Sequence, residues 1–159
     1  ALHSTKNSQL YKNLLDDVMS AVIESFGVVN VKTGKRVRVN EGDDIDHRRD
    51  VWITKNGKDL KLGAKSIRFA GPVAYHGFVI YGKKEGVKPF GYVQACGFSS
   101  DELEVASIED VAQKEIDKEE IKLLTRNQIQ KRFRYDKIEE LSEEEFLIML
   151  GRLSVNASH

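Results

Sequence analysis

Three charged residues, Asp50, Asp59 and Lys61, are spaced so that a tight turn between them would bring their side chains together. The turn is Asn56-Gly57, which favours a two-residue β-hairpin because Asn and Gly readily adopt the positive φ of a type I′ turn. Side chains alternate along a strand, so all three charged groups fall on one face of the hairpin. Two neighbouring carboxylates repel each other unless a divalent cation lies between them, and a lysine beside that cation can orient or deprotonate a bound water. The three residues therefore predict a metal site that activates water.

The two-residue loop also fixes which residues of the hairpin face each other. The expected cross-strand pairs are Lys55 with Lys58, Thr54 with Asp59, Trp52 with Lys61, and Asp50 with Gly63. The other face of the hairpin is apolar and is expected to belong to the core; it carries Val51, Ile53, Leu60 and Leu62. The charged face is expected to be the place where a cation and a phosphate meet.

Asp50, followed on the next strand by Asp59-Leu60-Lys61, resembles the PD-(D/E)xK nuclease superfamily, which includes many restriction enzymes, Holliday-junction resolvases and some homing endonucleases. The resemblance extends from the first predicted helix to the hairpin. It implies that Asp50 and Asp59 bind Mg²⁺ or Mn²⁺ and that Lys61 assists the water nucleophile. It also implies that Glu24, on the first helix, completes the metal site and the catalytic set. The chain departs from the family pattern at Arg49, where the family name has proline, and at Asp59, where glutamate is commoner.

The composition is that of one globular domain. The chain has 159 residues, of which 40% are hydrophobic and 31% charged, which suffices for one core. Its 25 basic and 25 acidic residues give no net charge, so a nucleic-acid partner requires local basic patches. The single cysteine, Cys96, rules out an internal disulfide framework and fits a reducing, cytoplasmic location. No apolar run is long enough to span a membrane.

The order of the periodic segments predicts an α/β fold of the α+β kind. A central mixed β-sheet contains the active-site hairpin and is flanked by an N-terminal helix and C-terminal helices. The single domain, 1–159, is expected to comprise an N-terminal helix over 9–27, a sheet core over 28–98 and a helical part over 107–153.

Capping residues and local sequence patterns predict where the helices and strands of this domain begin and end. In the N-terminal helix, Ser8 is the expected N-cap and Gly27 the residue after the last turn. Asp17 and Glu24 lie near the edge of its apolar stripe, so solvated helix charges remain the alternative to a metal-binding role for Glu24. After the hairpin, the pattern predicts a surface segment over 63–72 and strands over 73–81 and 90–98. It then predicts helices near 108–115, 118–132 and 143–151. Capping boxes are expected at Ser107, Asp117 and Ser142.

Two pairs of basic residues near the hairpin are candidates for contacts with a nucleic-acid backbone. Arg36 and Arg38 alternate with valines in a second predicted hairpin, 28–40, where they would either bind phosphate or protect an edge strand. Lys65 and Arg68 follow the active-site hairpin directly, where the backbone of the cut strand would be held.

A third basic group lies in the C-terminal part. Lys131, Arg132 and Arg134 stand next to Phe133 and Tyr135. Such a stretch can contact a nucleic-acid backbone or stack a base. The alternative is a solvated connector whose cations pair with the many nearby glutamates.

These features together favour a Mg²⁺-dependent DNA endonuclease of restriction or homing type, which hydrolyses phosphodiester bonds in double-stranded DNA. A chain of this size needs two copies to cut both strands, so a homodimer or a higher symmetric oligomer is expected. The alternative is a non-catalytic nucleic-acid-binding or assembly protein, in which Asp59 and Lys61 form an exposed salt bridge. Asp46, in the loop before the hairpin, is the substitute if Asp50 is not the first metal ligand.

Overall fold

The computed structural model describes residues 5–33, 50–70, 73–92, 103–142, 144–145 and 147–148. Its elements, in chain order, are α1 (Thr5–Ser25), β1 (Lys32–Thr33), β2 (Val51–Lys55), β3 (Lys58–Ala70), β4 (Val73–Ile80), α2 (Lys84–Val87), a 3-10 helix (Lys88–Tyr92), β5 (Leu103–Val105), α3 (Ile108–Ala112) and α4 (Lys118–Phe133). The five strands form one sheet flanked by N-terminal and C-terminal helices, so the predicted α+β class is confirmed. No helix in these ranges has the length and apolar character needed to cross a membrane.

Strand β3 is the axis of the sheet. One edge of β3 pairs antiparallel with β2 over 58–63, and β1 pairs with the outer edge of β2. The other edge of β3 pairs in parallel with β5 over 59–61 and antiparallel with β4 over 63–70. The sheet is therefore mixed, and β4 and β5 lie end to end along the same edge of β3.

The length of β3 contradicts one prediction. The segment 63–72, expected to be a surface loop, is strand as far as Ala70. Its backbone is paired with β4 at every position from 63 to 70. Polar residues at Lys65, Ser66 and Arg68 hide the strand pattern in the sequence, although Ile67 and Phe69 alternate with them.

The Asn56-Gly57 turn forms as predicted, but the register changes farther along the hairpin. Asn56 and Gly57 have φ values of 53° and 75°. The pairs Thr54–Asp59 and Trp52–Lys61 are those expected. Gly63, however, is opposite Val51 and not Asp50, because Leu62 is an extra residue that forms a β-bulge. The predicted Asp50–Gly63 pair is therefore wrong by one residue.

The core lies between α1 and one face of the sheet. The predicted apolar face of the hairpin is confirmed, since Val51, Ile53 and Leu62 are buried and Leu60 packs against them. The cluster continues into α1 and the C-terminal part through Met19, Val22, Ile23, Phe26, Ala106, Ile108 and Ile116. α1 begins at Thr5, so Ser8 lies inside the helix and is not its N-cap. Gly27, with a φ of 85°, follows the last turn as predicted.

Two predictions about the later elements have different outcomes. The strand expected over 90–98 is wrong where it is described, because residues up to Tyr92 belong to the 3-10 helix. Pro89 explains this, since it fixes φ and has no N–H for a strand ladder. The capping box at Ser107 is confirmed: its hydroxyl accepts from the Asp110 N–H, and the Asp110 carboxylate accepts from the Ser107 N–H. At the start of α4, the Asp117 side chain accepts from the N–H of Glu119.

Glu109, which no sequence signal singled out, joins three segments of the C-terminal part. Its carboxylate is buried and accepts hydrogen bonds from the backbone N–H groups of Lys84 (3.0 Å) and Ile116 (3.2 Å). It also forms an ion pair with Lys83 at 3.1 Å. The Lys84 N–H, followed by the Ile116 N–H and the Lys83 ammonium, lowers the pKa of Glu109 to about 2. The carboxylate therefore stays charged and holds α2, α3 and the start of α4 in register.

We expect Gly63→Ala to destabilise the fold by about 1–3 kcal/mol, because there is no room for a methyl group. A Cβ at this position would lie 2.6 Å from Met19 Cε and 2.7 Å from the Val79 carbonyl oxygen. Gly77→Ala is the matched control, since Gly77 is an exposed residue of β4 with nothing within 4 Å of its Cβ position. Urea unfolding followed by circular dichroism measures both variants. Equal stabilities would contradict the close packing of α1 on the bulge.

Candidate functional site

Asp50 and Lys61, two of the three residues predicted to converge, are in direct contact. The Lys61 ammonium lies 2.5 Å from Oδ2 of Asp50, and the two residues are only 4% and 7% exposed, respectively. The same ammonium is 5.3 Å from the centre of the Trp52 ring, which is also buried. Asp50 immediately precedes β2 and Trp52 is the cross-strand partner of Lys61, so the hairpin positions all three.

The burial of this ion pair needs a reason. Removing two charges from water costs several kcal/mol per ion, and apolar residues of similar size usually give an equally stable or more stable protein. Active sites often hold charged groups away from water, where a low local dielectric strengthens their interactions, and this pair also lies where the sequence predicts a site. The pair formed by Asp50 and Lys61 is therefore the first candidate for a reactive centre.

Asp59, the third predicted residue, lies apart from this pair. It accepts a hydrogen bond from the Thr54 hydroxyl at 2.8 Å, and Thr54 Oγ1 accepts one from the Lys32 ammonium at 2.9 Å. Thr54 is four residues beyond Asp50, which corresponds to about 13 Å along a strand. Oxygen ligands of one Mg²⁺ lie about 2.1 Å from the ion, so Asp50 and Asp59 are too far apart to share it. The convergence expected for all three residues is limited to Asp50 and Lys61.

A second buried Asp–Lys pair lies on the opposite face of β3. Lys65 forms an ion pair with Asp16 of α1, and their side chains are only 4% and 7% exposed. The bulge at Leu62 explains the change of face: Lys61 is on the Trp52 side, whereas Lys65 shares the α1 side with its partner Phe78.

Lys65 is therefore not available as a surface contact for phosphate, although the sequence placed it in that group. Burial, with a smaller contribution from the Lys12 ammonium, lowers the pKa of Lys65 to about 8. The side chain is still mostly protonated at neutral pH and pairs with Asp16 as a cation. One signal in the sequence points to Asp16, which lies between Leu15 and Val18 in the wide apolar stripe of α1.

The remaining predicted metal ligand, Glu24, is an exposed residue of α1. Within the described ranges, no three His, Cys, Asp or Glu side chains come close enough to hold a metal ion together. The substitute ligand Asp46 lies outside those ranges. The described residues thus do not form the three-carboxylate site expected from the sequence, and Asp50 is the carboxylate that lies beside Lys61.

The predicted nucleic-acid contacts are distributed over separate surfaces. Arg68 of β3 is exposed, and so are Lys131 and Arg134 near the end of α4. Arg132 is partly buried and lies 3.7 Å from a carboxylate oxygen of Asp17. Arg36 and Arg38 fall outside the described residues.

No family model, curated protein or solved structure matches this chain. The resemblance to the PD-(D/E)xK superfamily therefore stays a prediction from the hairpin residues.

Proposed function

We propose that this chain is a Mg²⁺-dependent DNA endonuclease with Asp50 and Lys61 at its catalytic centre. The observation that supports the proposal is the buried ion pair of the hairpin, in which Lys61 Nζ lies 2.5 Å from Asp50 Oδ2. Both side chains are largely buried, and the Asp50 carboxylate keeps the larger share of solvent contact, with a side-chain exposure of 10% against 5%.

In this proposal the ion is held by one protein carboxylate. Mg²⁺ is commonly bound through one or two carboxylates together with substrate phosphates and waters, so Asp50 suffices on the hairpin if the scissile phosphate supplies further oxygens. Bound Mg²⁺ supplies the positive charge that activates a water and stabilises the phosphate in the transition state.

Lys61 and Trp52 support Asp50. Lys61 donates a hydrogen bond to Asp50 Oδ2 and so fixes the orientation of the carboxylate. Its ammonium would also supply a positive charge and a proton to a phosphate bound beside Asp50. The Trp52 ring lies over that ammonium and excludes water, which strengthens both interactions.

The other predicted residues take different roles in the proposal. Asp59 stabilises the hairpin near its turn through Thr54, and Glu24 is a surface charge of α1. Cutting both strands of a duplex would still require two copies of the chain, so a symmetric dimer remains part of the proposal.

Incubation of the purified chain with supercoiled plasmid tests the function. We expect nicked or linear product with Mg²⁺ or Mn²⁺, and none after addition of EDTA, because the phosphate charge is then not neutralised. Agarose gels measure the products, and a gel shift in EDTA measures binding. Binding without cleavage in either metal would contradict the endonuclease and favour the non-catalytic nucleic-acid-binding protein.

A further inference from the structure

Three aromatic rings, those of Tyr11, Phe133 and Tyr135, cluster beside the end of α4, and the Tyr11 hydroxyl is hydrogen-bonded to that of Tyr135. Tyr11 of α1 is buried and contacts Phe133 edge to face, with ring centres 5.0 Å apart. Phe133 stacks on Tyr135 with centres 5.4 Å apart and an angle of 18° between the planes. Tyr135, the last ring, is 46% exposed. A half-exposed ring whose inner face is stacked offers its outer face to a further planar group.

The cations around this ring differ in their partners. Arg126 and Arg132 face carboxylates, Glu140 at 2.9 Å and Asp17 at 3.7 Å, respectively. Lys131 and Arg134, both exposed, form no ion pair with any other residue in the part of the chain that the structure describes. Among the described residues, two exposed cations without a carboxylate partner therefore lie close to Tyr135 in the chain, one directly before it and one four residues before it.

The backbone at Arg134 also favours a role for its side chain. Arg134 is the C-cap of α4 and has a φ of 56°, a left-handed conformation in which glycine would avoid a cost of about 1 kcal/mol or more. The N–H groups of Arg134 and Tyr135 both donate to the Gln130 carbonyl, so the cap fixes the direction of the chain at the ring. An arginine is thus held in a strained position directly beside Tyr135.

We infer that this aromatic end of α4, consisting of Lys131, Phe133, Arg134 and Tyr135, binds an unpaired nucleotide. The base stacks on the outer face of Tyr135, and the flanking phosphates contact Lys131 and Arg134. The bases of an intact duplex stack on one another and present only their edges, so they cannot occupy this position. The inference rests on the proposed function and adds to its substrate an unpaired base beside the cleaved duplex, as in an overhang, a branch or a locally melted segment.

Binding in EDTA tests the inference without cleavage. Fluorescence anisotropy with a labelled oligothymidylate and with a duplex of equal length should show tighter binding of the single strand. Tyr135→Ala should weaken single-strand binding by roughly 5- to 100-fold, because one stacking contact is lost. Tyr135→Phe keeps the ring and should bind within about twofold of the parent. Tyr92→Ala is the matched control, since Tyr92 is 91% exposed and belongs to a different element.

Arg134→Gly measures the contribution of the charge to DNA binding independently of the Tyr135 ring. It removes one phosphate contact and relieves the positive φ, so the slope of log K against log salt should fall by about 1 without loss of thermal stability. Thermal melts of all variants establish that they are folded.

The outcomes distinguish the inference from the proposed function. Equal or tighter binding of the duplex, no DNA binding at all, or a Tyr135→Ala variant that binds like Tyr92→Ala, would each overturn the inference. If the parent nevertheless cleaves plasmid, the endonuclease proposal stands without it. If Tyr135→Ala loses single-strand binding while the parent never cleaves, the site is supported and the endonuclease fails.

Discussion

Asp50→Asn is expected to lower Mg²⁺-dependent plasmid cleavage by on the order of 10²- to 10³-fold, because the only buried carboxylate of the hairpin then carries no charge for the ion. Asparagine has nearly the same shape as aspartate, so packing around Trp52 is kept. Asp59→Asn is the matched comparison, and we expect it to keep most of the activity. Asp59 is about 13 Å farther along the hairpin, where it accepts a hydrogen bond from Thr54.

Initial rates of nicking measure both variants, and a gel shift in EDTA establishes that DNA binding is unchanged. Neutralising Asp50 leaves the Lys61 ammonium buried without its counter-charge, so the fold of the variant is checked by circular dichroism. If Asp50→Asn does not fold, the double variant Asp50→Asn/Lys61→Met removes both charges, and parental activity in that variant would exclude the pair from catalysis. Parental activity in a folded Asp50 variant, or loss of activity only in Asp59→Asn, would mean that the catalytic carboxylate is misassigned.

Lys65→Met is expected to destabilise the protein by about 3–5 kcal/mol, because it leaves the Asp16 carboxylate buried without a counter-charge between α1 and β3. This is a large part of the 5–15 kcal/mol that typically separates folded and unfolded states. The double variant Asp16→Leu/Lys65→Met replaces both charges with apolar groups of similar size. We expect it to regain most of the lost stability, since neither charge then has to be removed from water.

Urea unfolding at low temperature measures these variants, so that the single variant retains a folded baseline. Lys58→Met is the control, because the pair between Lys58 and Glu104 has side chains that are 42% and 54% exposed. An exposed pair contributes only about 0–1 kcal/mol. Equal effects of Lys58→Met and Lys65→Met would contradict the burial of the second pair, and a double variant as unstable as Lys65→Met would contradict its charge-based explanation.

The sequence alone determined those features that depend on residues close together in the chain. Asn56-Gly57 defined the turn, and the alternation after it placed Val51, Ile53 and Leu62 in the core. Gly27 marked the end of α1, and Ser107 marked the start of α3. Each of these signals is an interaction within a few residues, such as a positive φ, a cap hydrogen bond or a periodic apolar face. No distant part of the chain is needed to form them.

Tertiary structure decided where the charged side chains point. The bulge at Leu62 shifts the register by one residue, so Lys65 points to the opposite face from Lys61 and meets Asp16 of α1. A one-residue shift exchanges the two faces of a strand because side chains alternate with a period of two. Where that shift occurs depends on how β4 and β5 share one edge of β3 and on how α1 packs against Gly63. These contacts join residues far apart in the chain, so no local pattern around the hairpin encodes them.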